Sequence, residues 1–504
     1  MFLYRELAVC LAVALLCLVP TSRYVGRRRR GIEAVGLLTL LIAFLLPSGR
    51  WQAVPVIAAA LILGLTIGLA ARAVSLPRPR LYALGRFSAL ALAMLSAVLC
   101  VLLPVFELPR PPGPYAVGTN AYLWVDTARN DPMQNPPAPR ELMVQFWYPA
   151  EPEAKAKPGP YLLHADRVGP ALIKARAPFL PGFLLSQLRY VRARSYPAAP
   201  ISDDRPAYPL ILFCHGYGGI RTQNTALVEH LASFGYIVVA VEFTHTAALS
   251  IFPDGRAYPF RNVLGAGPGG PTGETAQMTG EELISLWTDD VRFVVDELER
   301  ANLGELESPF EGKLDLARIG VLGHSFGGAT SANLCRVDPR FAAGMNLDGY
   351  LNEANVDLPL QAPFAFFMAG SYLMTAEELE KRGIPRQWAE RISKGRASIR
   401  AAIESAQRDT YLLVMKGSRH ETFTDMPLYS PFAGAFGMGS EVPAERSTEL
   451  LCAYTRAFFD THLSGERSEL MEGPYAGYPE IVFEKKPAPV VSNAVEALEG
   501  VVGG

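Results

Sequence analysis

Arg318-Ile319-Gly320-Val321-Leu322-Gly323-His324-Ser325-Phe326-Gly327-Gly328-Ala329-Thr330-Ser331-Ala332 is the stretch that decides the fold. Its first five residues read as a buried strand and its last five as the small-residue start of a helix. Between them, Gly323-His324-Ser325-Phe326-Gly327 is the Gly-x-Ser-x-Gly nucleophile-elbow pattern of serine hydrolases. Chemistry explains the spacing. The serine must sit on a sharp strand-to-helix turn with a strained backbone, so the residues two positions away on either side must lack bulk. The helix N-terminus that follows offers N–H groups and a dipole that favour negative charge developing on a substrate oxygen. Ser325 is therefore the expected nucleophile.

Working outward, an acid and a histidine follow in the order this architecture expects. Phe341-Ala342-Ala343-Gly344-Met345-Asn346-Leu347-Asp348-Gly349 reads as a short strand ending in an acid and a glycine. An acid at the C-terminal tip of a buried strand reaches the top of the sheet; the competing reading is a turn-forming Asp before Gly. Tyr411-Leu412-Leu413-Val414-Met415-Lys416-Gly417-Ser418-Arg419-His420 then gives a strand, a turn and a histidine. In this reading His420 takes the proton from Ser325 and passes it to the leaving group. Asp348 fixes the imidazole tautomer and stabilises its charged form.

Pro209-Leu210-Ile211-Leu212-Phe213-Cys214 reads as another buried strand, and His215-Gly216-Tyr217-Gly218-Gly219 follows it. A His-Gly-x-Gly turn there matches the loop that supplies the second oxyanion-hole N–H. The expected donors are the backbone N–H groups of Tyr217 and Phe326, with His215 a structural part of the loop. Of the other histidines, His164, His230 and His462 read as surface or packing residues. His245, after the strand Tyr236–Phe243, is the rival base.

With those residues in hand, the soluble part resembles the platelet-activating-factor acetylhydrolase (type II, lipoprotein-associated phospholipase A2) family of α/β-hydrolases. The resemblance rests on Tyr115-Ala116-Val117-Gly118, Val144-Gln145-Phe146-Trp147-Tyr148-Pro149, the His215 turn, Val239-Ala240-Val241-Glu242, the elbow, Asn346-Leu347-Asp348 and Lys416-Gly417-Ser418-Arg419-His420, collinear over about residues 113 to 465. It implies nucleophile, acid and base roles for Ser325, Asp348 and His420, and oxyanion donors at Tyr217 and Phe326. It also implies calcium-independent hydrolysis of short or oxidised acyl chains from phospholipids, although relatives with the same elbow are general carboxylesterases or polyester hydrolases. Tyr217 stands where an aliphatic residue is usual in the family, which implies a differently shaped acyl pocket.

Ahead of the hydrolase lie four uncharged apolar stretches, Leu7–Ser22, Ala34–Gly49, Trp51–Ala71 and Phe87–Phe106. The last two reach the roughly 20 residues that cross a hydrocarbon core, and the first two lie near the lower limit. Arginines follow the first stretch in place of a small-x-small cleavage site, so it reads as a span rather than a signal peptide. Arg23 and Arg27–Arg30 separate the first pair of stretches, and Arg72, Arg78, Arg80 and Arg86 the last pair, whereas the middle connection holds only Arg50. Positive loops stay cytoplasmic. A multi-pass protein of the cell membrane is expected, with four transmembrane helices, its N-terminus outside and the catalytic domain on the extracytoplasmic side.

Charge divides the chain the same way. Residues 1–106 hold 11 of the 47 basic and 2 of the 49 acidic residues, leaving 36 basic against 47 acidic in the remainder. An acidic domain on a basic anchor has no electrostatic footprint for nucleic acid. Cys10, Cys17 and Cys100 fall in the apolar stretches, and Cys214, Cys335 and Cys452 are an odd number on buried patterns, so no disulfide framework is implied. No metal-ligand spacing, Walker loop or dinucleotide fingerprint occurs, so neither a metal nor another cofactor is expected.

The expected organisation is a membrane region over 1–106, a Pro-rich linker over 107–114 that keeps the enzyme slightly away from the bilayer, an α/β-hydrolase domain over 115–465, and a partly disordered extension over 466–504. Tyr115–Thr127 and Glu141–Tyr148 read as an antiparallel hairpin. Leu210–Cys214, Tyr236–Phe243, Ile319–Leu322, Phe341–Leu347, Pro363–Met368 and Tyr411–Met415 read as a parallel core with helices on both faces. Three insertions adjoin the site: 154–209, whose apolar Ala177–Leu185 lines the pocket, touches lipid or packs under a loop; 252–280, Gly- and Pro-rich; and 374–407, charged and helical. The tail from Lys485 reads as weakly ordered.

The expected function is a membrane-anchored serine esterase acting on a small ester or lipid substrate. The alternatives are a general carboxylesterase or polyester hydrolase, and a transport or scaffold protein with a ligand-binding hydrolase-like domain. The sequence leaves the oligomeric state open.

Overall fold

The computed structural model describes residues 2–46, 49–74, 78–265, 277–351, 357–434 and 440–489. Helices α1 (Phe2–Leu18), α2 (Arg28–Leu45), α3 (Val54–Arg72) and α4 (Pro79–Leu102) open the chain. They pack on Val13, Leu38, Leu63 and the small residues Ala59, Ala60, Ala89 and Ala93, whose size lets backbones approach closely. Their outer face stays apolar, with Leu40 69% and Leu65 66% exposed. Among the described residues two helices are long and apolar enough to cross a membrane, Trp51–Arg72 with 22 residues and Pro79–Leu102 with 24. The helix bounds depart from the apolar stretches at both ends. α1 begins early enough to include Arg5 and Glu6, and α2 carries Arg28–Arg30 and Glu33.

Pairing allows the early start of α1. Buried Glu6 accepts a hydrogen bond from Arg50 Nη1 at 2.5 Å. Arg50 Nη2 and Gln52 Nε2 also donate to the Leu103 carbonyl at 2.9 and 3.1 Å, satisfying an acceptor at the end of α4 that no helical N–H reaches. At the other end of the bundle Gly26 N–H donates to the Ala73 carbonyl at 3.0 Å, so the two arginine-rich turns lie together.

The linker 107–114 and Phe106 before it pack on the hydrolase. Phe106 stacks on Tyr429 at 5.3 Å and meets Tyr161 edge-on at 5.6 Å, Leu108 is buried, and Arg194 donates to the Leu108 carbonyl at 2.6 and 2.9 Å. Proline limits the backbone of this segment but leaves its apolar side chains free to pack, which composition alone does not reveal.

The hydrolase opens with the hairpin β1 (Ala116–Asn130) and β2 (Pro139–Ala150), followed by α5 (Ala165–Arg176), a 3-10 segment Gly182–Tyr190 and the two-residue edge strand β3 (Tyr196–Pro197). The parallel core then alternates: β4 (Tyr208–Cys214), α6 (Thr225–Ser233), β5 (Ile237–Glu242), a small hairpin of β6 (Leu249–Ile251) and β7 (Ala257–Pro259), α7 (Gly280–Asn302), β8 (Leu314–His324), α8 (Phe326–Val337), β9 (Phe341–Leu347) and β10 (Phe364–Ala369). After α9 (Ala376–Lys381) and α10 (Arg386–Ser405) come β11 (Thr410–Met415), α11 (Ala444–Leu463) and β12 (Ile481–Lys486). The main sheet has ten strands in the order β12-β11-β10-β9-β8-β4-β5-β2-β1-β3. Strands β5, β4, β8, β9, β10 and β11 run parallel, and the β1–β2 hairpin and β12 add antiparallel strands on the two sides.

Strand periodicity sorts the core. Leu210, Leu212 and Cys214 face α7, α8 and α10 through Trp287, Val291, Ala329 and Ile399. The intervening Ile211 and Phe213 face α6 and α11 through Leu227, Leu231, Leu450 and Phe458. Both faces are thus covered, so the parallel strands are continuously apolar. α7 starts sharply at a capping box, with Thr279 Oγ1 accepting from Glu282 N–H and Glu282 Oε2 accepting from Thr279 N–H.

Two further expectations change. Lys485 and Lys486 are ordered in β12, which pairs with β11 and covers what would be an exposed sheet edge, so the sheet extends into residues 466–504. The insertion 252–280 contributes β7 to a hairpin, while its residues 266–276, like 490–504 of the tail, lie outside the described residues. All six cysteines are free and buried.

Candidate active site

The turn between β8 and α8 places Ser325 at φ 57° and ψ −120°, an outlying conformation for a residue with a Cβ. The space around it explains the glycines. A Cβ on Gly327 would lie 2.2 Å from the Cys214 carbonyl oxygen, so only glycine lets α8 start this close to β4. Ser325 N–H donates to the Leu347 carbonyl at 2.8 Å, tying the elbow to the tip of β9.

Asp348 follows that tip. Its turn is latched by Asn346, whose Oδ1 accepts from Gly349 N–H at 2.7 Å and whose Nδ2 donates to the Gly349 carbonyl at 2.8 Å. A Cβ on Gly349 would lie 2.1 Å from the Ser325 carbonyl oxygen, so the Asp-Gly pair forms a turn and also presents an acid. Asp348 is 3% exposed. Its Oδ1 accepts from Ala369 N–H at 2.8 Å, and its Oδ2 lies 2.7 Å from His420 Nδ1.

His420 opens the 3-10 turn after β11, and its Nε2 lies 3.0 Å from Ser325 Oγ. Burial disfavours the charged imidazole, but the hydrogen bond and charge of Asp348, with Glu421 adding, outweigh it and raise the pKa above the ordinary histidine value. Asp348, His420 and Ser325 are thus joined in the hydrogen-bond order that general-base activation of a hydroxyl requires.

The β4–α6 turn abuts the nucleophile, since a Cβ on Gly216 would sit 3.3 Å from Ser325 Cβ. Among the described residues neither the Tyr217 nor the Phe326 N–H donates to a backbone carbonyl. The Tyr217 ring packs edge-on against Phe260 at 5.0 Å and lies 6.1 Å from the Phe326 ring. Its hydroxyl meets the Arg261 carbonyl at 3.3 Å, Asn262 Oδ1 at 3.2 Å and Leu264 N–H at 3.3 Å.

His215 is fully buried, and burial holds its pKa down at about 3; its Nε2 accepts from Phe243 N–H at 3.2 Å, a structural role. The rival base His245 is also fully buried, 3.3 Å from Asp131 Oδ2, in a cluster where Arg140 Nη2 donates to Asp290 at 2.7 Å. It is not joined to Ser325. His230 lies on α6, and His462 on α11 meets the Tyr411 hydroxyl at 3.1 Å; His164 is exposed on the loop before α5. Sequence reasoning assigned no role to Gln223, His324 or Arg176, whose contacts cross between loops far apart in the chain.

A mostly parallel sheet with an elbow serine at its centre and an acid and a histidine at neighbouring strand tips defines an α/β-hydrolase of the esterase kind. Comparison with known proteins gives the family. Residues 103–256 and 302–469 match the family "Platelet-activating factor acetylhydrolase, isoform II", and the chain belongs to it as a carboxylic-ester hydrolase. A "Probable 1-alkyl-2-acetylglycerophosphocholine esterase" of Arthroderma benhamiae is 27% identical over 406 residues, 75% of this chain and 94% of that protein. The platelet-activating factor acetylhydrolase of Cavia porcellus is 26% identical over 294 residues, 53% of this chain and 61% of that protein. A ferulic acid esterase structure from Streptomyces cinnamoneus has a TM-score of 0.59 at 28% identity, covering 75% of this chain and 99% of that chain.

Proposed function

We propose that the chain is a membrane-anchored serine esterase that removes short acyl groups from phospholipid-like esters on the extracytoplasmic side. The observation that carries the chemistry is the pair of hydrogen-bond contacts at His420, 3.0 Å to Ser325 Oγ and 2.7 Å to Asp348. Ser325 attacks the ester carbonyl while His420 Nε2 takes its proton, and Asp348 stabilises the imidazolium. The Tyr217 and Phe326 N–H groups receive the oxyanion. His420 then protonates the departing alkoxide, and water repeats the sequence to release the acid. No step calls for a metal ion.

Three observations support the setting. The outer face of the four-helix bundle is apolar, its arginine-rich turns share one end, and the chain leaves α4 for the hydrolase at the opposite end. At that end Arg189 donates to the Gly49 carbonyl at 2.8 Å and Phe183 meets Trp51 edge-on at 5.0 Å. The apolar part of insertion 154–209 therefore lies beside the anchor, with Phe179 80% exposed, as a lipid-facing segment would.

The held Tyr217 ring supports a narrow acyl side. A second reading, an esterase without lipid preference, is favoured by the same aromatic wall and by the likeness to a ferulic acid esterase. An acyl series of about two to twelve carbons tests the acyl side, because each buried methylene is worth roughly 0.8 kcal/mol. Turnover of a phospholipid against a simple alcohol ester of the same acyl group separates the two readings. The proposal expects the highest kcat/KM at about two to six carbons, unaffected by chelators. Equal turnover of long chains, or loss on chelation, contradicts it.

A further inference from the structure

Arg176 ends α5, within the insertion, and no step of the proposed chemistry uses it. Its guanidinium nevertheless meets both loops that flank Ser325. Nη1 donates to Glu421 Oε1 at 2.7 Å, Nη2 to Gln223 Oε1 at 3.3 Å and Nε to the Gly218 carbonyl at 3.5 Å. Gly218 belongs to the turn that carries the Tyr217 N–H, and Glu421 directly follows His420.

Gln223 carries the contact inward. Its Oε1 also accepts from Gly216 N–H at 3.4 Å, while its Nε2 faces Asn224 Oδ1 at 3.2 Å and His324 Nδ1 at 2.9 Å. Only this amide orientation satisfies donors and acceptors together. With Nδ1 accepting, His324 carries its proton on Nε2, which lies 3.1 Å from the His420 carbonyl. Burial, then the charges of His420 and Arg176, keep His324 neutral by holding its pKa well below the usual range. One continuous set of hydrogen bonds therefore runs from Arg176 through Gln223 and His324 to the backbone of His420.

We propose that Arg176 is a positioning residue that clamps the oxyanion turn to the His420 loop and neutralises Glu421 beside the base. The proposal rests on the triad reading above. The charged or titratable groups around His420 are Asp348 at the tip of β9, Glu421 on its own turn, Arg176 from α5 and His324 from the elbow. Glu421 favours the imidazolium and Arg176 opposes it. Removing Arg176 therefore raises the pKa of the base, and removing Glu421 lowers it.

The test is kcat/KM and kcat against pH for p-nitrophenyl acetate, in the full-length protein, for Arg176→Met, Arg176→Lys, Glu421→Gln and the double variant Arg176→Met/Glu421→Gln. Arg176→Met should lower kcat about tenfold or more, as misplacement of catalytic groups does, and move the acid limb of kcat/KM to higher pH. Glu421→Gln should move that limb to lower pH. The double variant should restore the limb but not kcat, and Arg176→Lys should hold the limb in place while kcat stays low. Arg176→Met with kcat within about twofold and an unmoved limb would overturn the proposal, leaving a surface ion pair of the usual small worth. Should Arg176→Met not fold, a limb that stays or rises in Glu421→Gln overturns it equally. Failure of the triad reading has a separate signature, fluorophosphonate labelling that persists in Ser325→Ala.

Discussion

Asp348→Asn probes the centre of the site without changing its shape. The carboxylate is buried and makes two contacts, Oδ1 with Ala369 N–H at 2.8 Å and Oδ2 with His420 Nδ1 at 2.7 Å. An asparagine keeps the Ala369 bond by turning its carbonyl oxygen that way, and then presents its NH2 to the imidazole. His420 Nδ1 must accept, the ring proton moves to Nε2, and the lone pair that should take the Ser325 proton is gone. The imidazolium also loses its neighbouring charge. Tautomer errors of this kind cost about 10⁴ in kcat in a serine protease triad, which corresponds to roughly 5.5 kcal/mol of barrier. The assay is kcat and kcat/KM for a short-chain p-nitrophenyl ester against pH, with full-length enzyme in detergent or nanodiscs. The wild-type acid limb should lie above the ordinary histidine value, because Asp348 and Glu421 raise the His420 pKa; below that pKa the base is protonated and activity falls. In Asp348→Asn the residual activity should show a limb moved to lower pH. A loss smaller than about tenfold, or an unmoved limb, would refute this account of Asp348.

Three other changes carry specific expectations. Tyr217→Leu should release the acyl wall and raise relative kcat/KM for longer chains by up to about fourfold per added methylene; an unchanged acyl profile would mean that the ring does not face the acyl group. Arg140→Met should lower stability in chemical denaturation by up to about 3–5 kcal/mol, because the buried Asp131 and Asp290 lose the cation they share and keep only His245 and Arg129 beside them; a loss below about 1 kcal/mol would count against the pairing. Single cysteines at Arg28 and Val74, in a background without native cysteines, should resist a membrane-impermeant thiol reagent in intact cells while one at the exposed Arg110 reacts; the reverse pattern would invert the topology.

Much of the site was legible because the chemistry forces local patterns. The elbow pattern marks a strand-to-helix turn, and an acid and a histidine each follow a strand, so the meeting of Ser325, Asp348 and His420 could be anticipated from the chain, as could the six parallel core strands. What escaped has no local signature. Arg176, Gln223 and His324 are joined across 47 and 101 positions of sequence, and periodicity carries no trace of that. The Glu6–Arg50 pair spans 44 positions, and Arg50 read only as the single charge of the middle connection. The packing of the linker segment escaped for a different reason. Phe106 read as the end of an apolar stretch and the prolines after it as a linker, yet the aromatic surfaces of Tyr161 and Tyr429 that receive Phe106 come from remote loops. β12 was likewise masked by the lysines at its end, although Ile481-Val482-Phe483 has strand character and the edge of β11 supplies the template.

The central claim, that Ser325 is a nucleophile activated by His420, is tested most directly by reacting the purified full-length protein with a fluorophosphonate probe and locating the adduct by peptide mass spectrometry. The account predicts one adduct, on Ser325, with no labelling of Ser325→Ala and greatly slowed labelling of His420→Ala. An adduct on another residue, or unchanged labelling of Ser325→Ala, would contradict it.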